Sequence, residues 1–65
     1  MTKNERLFKR RKELNLTQEE VARKAGIQRY YYNMIENGHK VPSLKIAKKL
    51  AKVLRSGVDA LFYDV

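Results

Sequence analysis

Apolar residues recur at intervals of three and four along most of this chain, with polar residues between them, and this is the period of an α-helix. The clearest stripe is Leu44, Ala47, Leu50, Ala51 and Leu54. The pattern predicts five helices, over about residues 4–14, 18–25, 28–37, 44–54 and 58–62. No run of alternating Val, Ile or Thr is present, so strands are not expected and the fold class is all-α, a compact five-helix bundle. Helical spacing also selects an inward set: Leu7 and Leu14 from the first helix, Leu16 after it, Val21, Ala22 and Ala25, then Ile27, Tyr32 and Ile35. The stripe from Leu44 to Leu54 follows, and Leu61 and Phe62 close the core.

Punctuation between the stripes sharpens this reading. Thr17-x-x-Glu20 is a capping box that opens the second helix, and Thr2-x-x-Glu5 suggests the same device for the first. Gly26 stands where the chain must turn through a positive φ, and Asn37-Gly38 stops the third helix. Pro42-Ser43 opens the fourth, with Ser43 as its cap. Residues 17–38, TQEEVARKAGIQRYYYNMIENG, thus form two short helices around a tight glycine turn. This is a helix-turn-helix, a shape that places its second helix in the DNA major groove.

Composition bounds the possibilities. Sixty-five residues make one domain, 1–65, with a small core. Fifteen Lys and Arg against seven Asp and Glu give a net charge of +8, which favours a polyanionic partner, although charge by itself also fits a merely soluble basic protein. There is no cysteine, hence no disulfide frame or thiolate metal site, as expected for a cytoplasmic, nucleoid-associated protein. His39 is the single histidine, and no metal or other cofactor is expected. No apolar run is long enough to cross a membrane. No set of nucleophile, base and acid and no glycine-rich phosphate loop is present, so an enzyme is not expected.

The segment resembles a known family. TQEEVA, then AG, then I-E-N-G, then P-S-L, in this order and spacing, is similar to the lambda-repressor-like (Cro/cI or XRE-type) DNA-binding domains, over about residues 5 to 62. The resemblance implies a bundle with the helix-turn-helix in its second and third helices. It also implies a transcriptional regulator that binds a roughly palindromic operator on double-stranded DNA as a homodimer, with no small-molecule effector evident. The run Arg29-Tyr30-Tyr31-Tyr32 further resembles the Arg-Thr-Tyr-Tyr runs of restriction–modification controller proteins, although Tyr30 departs from their Thr. The alternative is an antitoxin-like or other protein-binding module on the same fold. It would be marked by an extended arm, which this sequence does not show.

With Tyr32 and Ile35 inward, the third helix presents Gln28, Arg29, Tyr30 and Asn33, with Tyr31 at the flank, as base readers. Arg29 can donate two hydrogen bonds to guanine and Asn33 can pair with adenine. The tyrosines can instead simply cover the surface between helices. Thr17 and Gln18 open the second helix, where backbone N–H groups and the dipole favour a phosphate. The family resemblance gives Gln18 this role and a second one, buttressing the third helix. Asn37 and Lys40 follow the third helix and are expected on the DNA backbone. Arg11 and Glu36 are expected to form a structural ion pair, as in similar domains. Lys9 and Lys12 are expected to be solvated, with phosphate contact as the alternative, and the lysines of the fourth helix are expected to be solvated. Arg10 falls where relatives are commonly apolar, which weakens the expected core. Arg55-Ser56-Gly57 replaces the usual capping glycine, so the turn there is expected to differ. Val53, Phe62, Tyr63 and Val65 are apolar residues that the core need not use, and they are expected to build a dimer interface within about residues 53–65.

Overall fold

Helices begin where a side chain can replace the missing preceding turn, and the caps of this chain set its helix boundaries. The computed structural model describes residues 3–63. It contains five α-helices: α1 (Glu5–Glu13), α2 (Gln18–Ala25), α3 (Arg29–Glu36), α4 (Leu44–Val53) and α5 (Val58–Phe62), with no strand among the described residues. Thr17 Oγ1 accepts from the Glu20 N–H while the Glu20 carboxylate accepts from the Thr17 N–H, completing the capping box. The Glu20 carboxyl lies below its ordinary pKa because that backbone N–H stabilises its charged form. Ser43 caps α4 through its hydroxyl. At α1 the expectation needs correcting: Asn4, not Thr2, is the cap, and its Oδ1 accepts from the Leu7 N–H at 3.0 Å. Thr2 itself lies outside the described residues.

The first four helices all end alike. Asn15, Gly26, Gly38 and Arg55 adopt positive φ, at 57°, 73°, 80° and 54°. At each, its own N–H and that of the following residue turn back onto carbonyls of the last helical turn, as in the Gly26–Arg23 and Ile27–Ala22 bonds of 3.1 and 2.9 Å. This is the Schellman closure, which satisfies carbonyls that a helix end leaves open. The Arg55–Gly57 turn was expected to differ from this pattern. Instead Arg55 N–H reaches Lys52 O and Ser56 N–H reaches Ala51 O, so an arginine occupies the left-handed position that glycine fills at Gly26 and Gly38.

α2 packs on α3 and α4, α4 on α5, and α1 on α5 and α3. Leu7, Val21, Ala22, Ala25, Tyr32, Ile35, Leu50, Ala51, Leu54 and Leu61 are buried in one cluster. Ala22 and Ala25, being small, allow α2 to approach its neighbours closely. Leu14, Leu16, Ile27 and Phe62 are half-buried against that cluster, as is Ile46, which helical spacing did not select. Leu44 was expected inside but is 56% exposed. It is the first residue of α4, and helical side chains lean toward the N-terminus, so it projects past the end of the packed stripe.

Two polar side chains fasten the helix ends across the bundle. The Asn4 N–H donates to Glu36 O at 2.8 Å, and Asn4 Nδ2 donates to Leu61 O at 3.0 Å, joining the start of α1 to the ends of α3 and α5. Arg10 Nε donates to Leu54 O at 2.8 Å and its Nη2 to Arg55 O at 3.1 Å. The arginine expected to weaken the core therefore covers the carbonyls that end α4.

Candidate nucleic-acid interface

The outer face of α3 is anchored from inside the protein. Glu36, on the last turn of α3, is 1% exposed, and a carboxylate so enclosed needs full hydrogen bonding. It accepts from Arg11 Nε on Oε1 at 2.8 Å and from Arg11 Nη2 on Oε2 at 3.0 Å, the two-pronged guanidinium–carboxylate pairing. Tyr32 Oη adds a bond to Oε1 at 2.8 Å and Gln18 Nε2 one to Oε2 at 2.9 Å. The third donor arm of Arg11, Nη1, is spent on Leu16 O at 2.8 Å. No buried side-chain nitrogen or oxygen among the described residues lacks a partner. Burial alone would raise the Glu36 pKa. The bonds from Arg11, Gln18 and Tyr32 outweigh it and hold the carboxyl below its ordinary value. The bond to Glu36 raises the Arg11 pKa against the effect of desolvation. Burial, with the neighbouring carboxylate, pushes the Tyr32 hydroxyl well above its usual value. All three groups therefore keep their charge states at neutral pH.

From Glu36 a row of amides leads outward. Gln18 Oε1 accepts from Asn33 Nδ2 at 3.0 Å, and Asn33 Oδ1 accepts from Asn37 Nδ2 at 3.2 Å. Asn33 is half-buried, and with Arg29 and Tyr30 it lines one open hollow on the outer side of α3. Arg29 and Gln28 are exposed, and Tyr30 is 71% exposed. Gln28 is the residue before α3 rather than its first, and no side-chain bond caps this helix. Arg29 also lines a second hollow with Arg11, Lys12, Asn15, Thr17 and Gln18, so the opening of α2 and the head of α3 share one surface.

The residues singled out from sequence thus divide. Arg29, Tyr30 and Asn33 come together, with Gln28 beside them. Tyr31 is half-buried against the core, at the flank of α3. The Gln18 side chain is turned inward and engaged on both ends of its amide. Thr17 is exposed, with its hydroxyl accepting in the capping box. Asn37 belongs to the amide row, and Lys40 is exposed in the loop beyond it. Of the residues expected to pair copies, Tyr63 is 54% exposed, whereas Val53 and Phe62 are half-buried against the core; Val65 lies outside the described residues. Sequence reading missed the Tyr32 hydroxyl as a ligand of Glu36, although the two are four residues apart on one helix face, a spacing that brings side chains together. The family resemblance had given Gln18 a buttressing role on the third helix, and its bond with Asn33 is of that kind; the onward bond from Asn37 to Asn33 was missed, because single positions carry no signal for it. No cluster of His, Cys, Asp and Glu fit to hold a metal occurs among the described residues, and no helix there is long and apolar enough to cross a membrane.

With this geometry in view, the chain belongs to the helix-turn-helix family, whose model matches residues 7–61, and its fold is lambda-repressor-like. It is 48% identical over 59 residues to an HTH-type transcriptional regulator, YqaF, of Bacillus subtilis, covering 91% of this chain and 78% of that one. Among solved structures it is similar to the restriction–modification controller protein C.AhdI from Aeromonas hydrophila, at TM-score 0.85 and 34% identity over 91% of this chain and 89% of that one. It is also similar to the P22 c2 repressor, solved with a synthetic operator, at TM-score 0.88 and 25% identity over 98% of both chains. The protein is a DNA-binding regulator of this class.

Proposed function

We propose that the protein is a sequence-specific regulator that binds a roughly palindromic operator as a two-fold dimer, with α3 of each copy in the major groove. The observation that carries this reading is the hollow of Arg29, Tyr30 and Asn33, held on a helix that the buried Glu36 network anchors to α1 and α2. Arg29 reads guanine through a two-pronged contact, worth about 1–3 kcal/mol of discrimination. Gln28, Tyr30, Tyr31 and Asn33 complete the base-contacting set. Phosphates are held by the N–H groups that open α2 at Thr17 and Gln18, and by Asn37 and Lys40 at the other end of α3. Lying within 27 × 21 × 21 Å, one copy is shorter than the roughly 34 Å turn that separates half-sites, so a palindrome calls for two copies. Tyr63, beside the half-buried Phe62 and the 86% exposed Val41, supplies apolar surface for their pairing. The P22 c2 repressor, solved on an operator, supports the same use of this fold.

Selection of binding sites from random duplex DNA at about 150 mM salt tests the proposal. An inverted repeat is expected. Arg29→Ala should abolish the preference at one base pair per half-site while leaving the circular dichroism unchanged. Recovery of no motif, with binding that fades as salt rises, would leave only the non-specific charge attraction and overturn the reading.

A further inference from the structure

The last turns of α2 and α4 meet at an open hollow that the DNA reading leaves unused. Arg23 and Lys24 line it from α2, Lys49 and Lys52 from α4, and Arg55 from the turn that follows. All five are exposed, they are a third of the fifteen Lys and Arg in the chain, and no carboxylate lines the hollow. Their side chains make no hydrogen bond or ion pair among the described residues. Glu20, one turn back on α2, attracts Arg23 and Lys24 from a distance but gives its carboxylate to the Thr17 N–H. Nor are the cations needed as caps, because the Schellman bonds at Gly26 and Arg55 already close both helix ends. Arg55 adds a second observation. It holds a left-handed φ of 54° where Gly26 and Gly38 stand in the matching turns, and backbone strain that the fold does not require points to a use for the side chain. We propose that this hollow is a second, sequence-independent seat for duplex DNA, so that a copy bound to its site through α3 holds another stretch of DNA on its flank.

The hollow is separate from the reading side. It shares no lining residue with the hollows at the outer side of α3 and at the opening of α2. α2 runs between them, its first residues on one and its last on the other, a rise of about 10 Å. The chemistry of the lining selects the occupant. Duplex DNA carries one negative charge about every 1.7 Å along its axis, and its protein interfaces are polar and strongly positive. Interfaces between proteins instead favour aromatic side chains and are depleted in lysine. Here three of the five cations are lysines, and the rest of the lining, Ala25, Gly26 and Val53, has no aromatic ring. Lysine is a compact charge on a flexible stem, which suits phosphates and reads no base. Lys49 and Lys52, solvated on sequence grounds alone, thus acquire a role. The inference depends neither on the palindrome nor on the pairing of copies.

The experiment loads the protein onto an immobilised duplex that carries only its selected site and adds a labelled duplex of unrelated sequence at about 100 mM salt. The wild type should capture the second duplex, less so as salt rises. Lys49→Gln combined with Lys52→Gln should weaken that capture about tenfold and reduce its salt slope by about two, with affinity for the site duplex unchanged. Arg23→Gln combined with Lys24→Gln, on the other helix, should act alike; all four side chains are exposed, so the circular dichroism of both variants should match the wild type. Arg55→Gly, which relieves the strained φ, should melt higher and yet capture less. Absence of capture by the wild type overturns the proposal, as does full capture by both double variants, which would place the bridging in two reading faces. Equal losses on the two duplexes overturn it as well, because the hollow would then touch the backbone of the site itself. Displacement of the second duplex by polyglutamate at equal charge would assign the hollow to an acidic protein segment instead. If selection returns no site, two duplexes of unrelated sequence serve in its place: bridging lost in the double variants supports the proposal, and bridging retained overturns it.

Discussion

Arg55 sits at φ 54°, where an L side chain crowds the following carbonyl at a cost of about 1–2 kcal/mol. The Schellman bonds of Ser56 and Arg55 and the Arg10 guanidinium on Leu54 O and Arg55 O hold it there. Arg55→Gly should therefore stabilise the domain by about 1 kcal/mol, read as a rise of roughly 4–8 °C in Tm. Gly26 supplies the mirror case. A Cβ added there meets nothing within 4 Å, so Gly26→Ala isolates the backbone cost at φ 73° and should lower stability by about 1 kcal/mol in a denaturant titration. At the same scale Arg10→Ala leaves the carbonyls ending α4 uncovered, and a loss of about 1–2 kcal/mol is expected from chemical denaturation, against none for the exposed Lys9→Ala.

Between elements, Glu36 carries most of the coupling, because one carboxylate takes bonds from α1, α2 and α3 at once. Its depressed pKa has a direct consequence. Stability from this group is fully present above the unfolded value of about 4.3 and is lost as pH falls through the lower folded value. Glu20 acts in the same direction. The wild-type Tm should drop below about pH 4, and Glu36→Gln should start lower, since Arg11 then loses its charged partner, yet fall less steeply with acid. A Glu36→Gln curve parallel to wild type would remove Glu36 from the acid transition. Much of this level was legible in the sequence. The helix stripes, the Thr17 box and the Gly26 turn are local signals, and Arg11 with Glu36 followed from the family resemblance. The rest needed side chains to be aimed. Arg10 looked like a defect because polarity was judged at one position, whereas its value lies in carbonyls forty-four residues away. Gln18, Asn33 and Asn37 each fit a separate DNA role, and only the placement of α2 against α3 turns them into a single row. Leu44 matched the apolar spacing of α4, but spacing does not say where the packed stripe ends.

For the whole molecule, a net charge of +8 on 65 residues makes association with DNA strongly dependent on salt. Lys40→Ala should weaken binding to all sequences alike and reduce the slope of log affinity against log salt by about one; an effect confined to one sequence would argue against its backbone role. Pairing of copies is a separate matter. Tyr63→Ser should shift sedimentation toward the monomer and weaken binding to a full palindrome far more than to a half-site, and equal losses on both would move the dimer surface elsewhere. The clasp at Asn4 bears on the path of the chain. Because Asn4 is bonded to Leu61 O and Arg6 Nη1 to Tyr63 O at 3.2 Å, the first and last described residues lie side by side. The two ends of the described stretch, at the start of α1 and just past α5, thus meet at one corner of the bundle. A circularly permuted chain, closed there by a short glycine-rich linker and reopened next to the exposed Val41, should therefore keep its helical content and its cooperative melt.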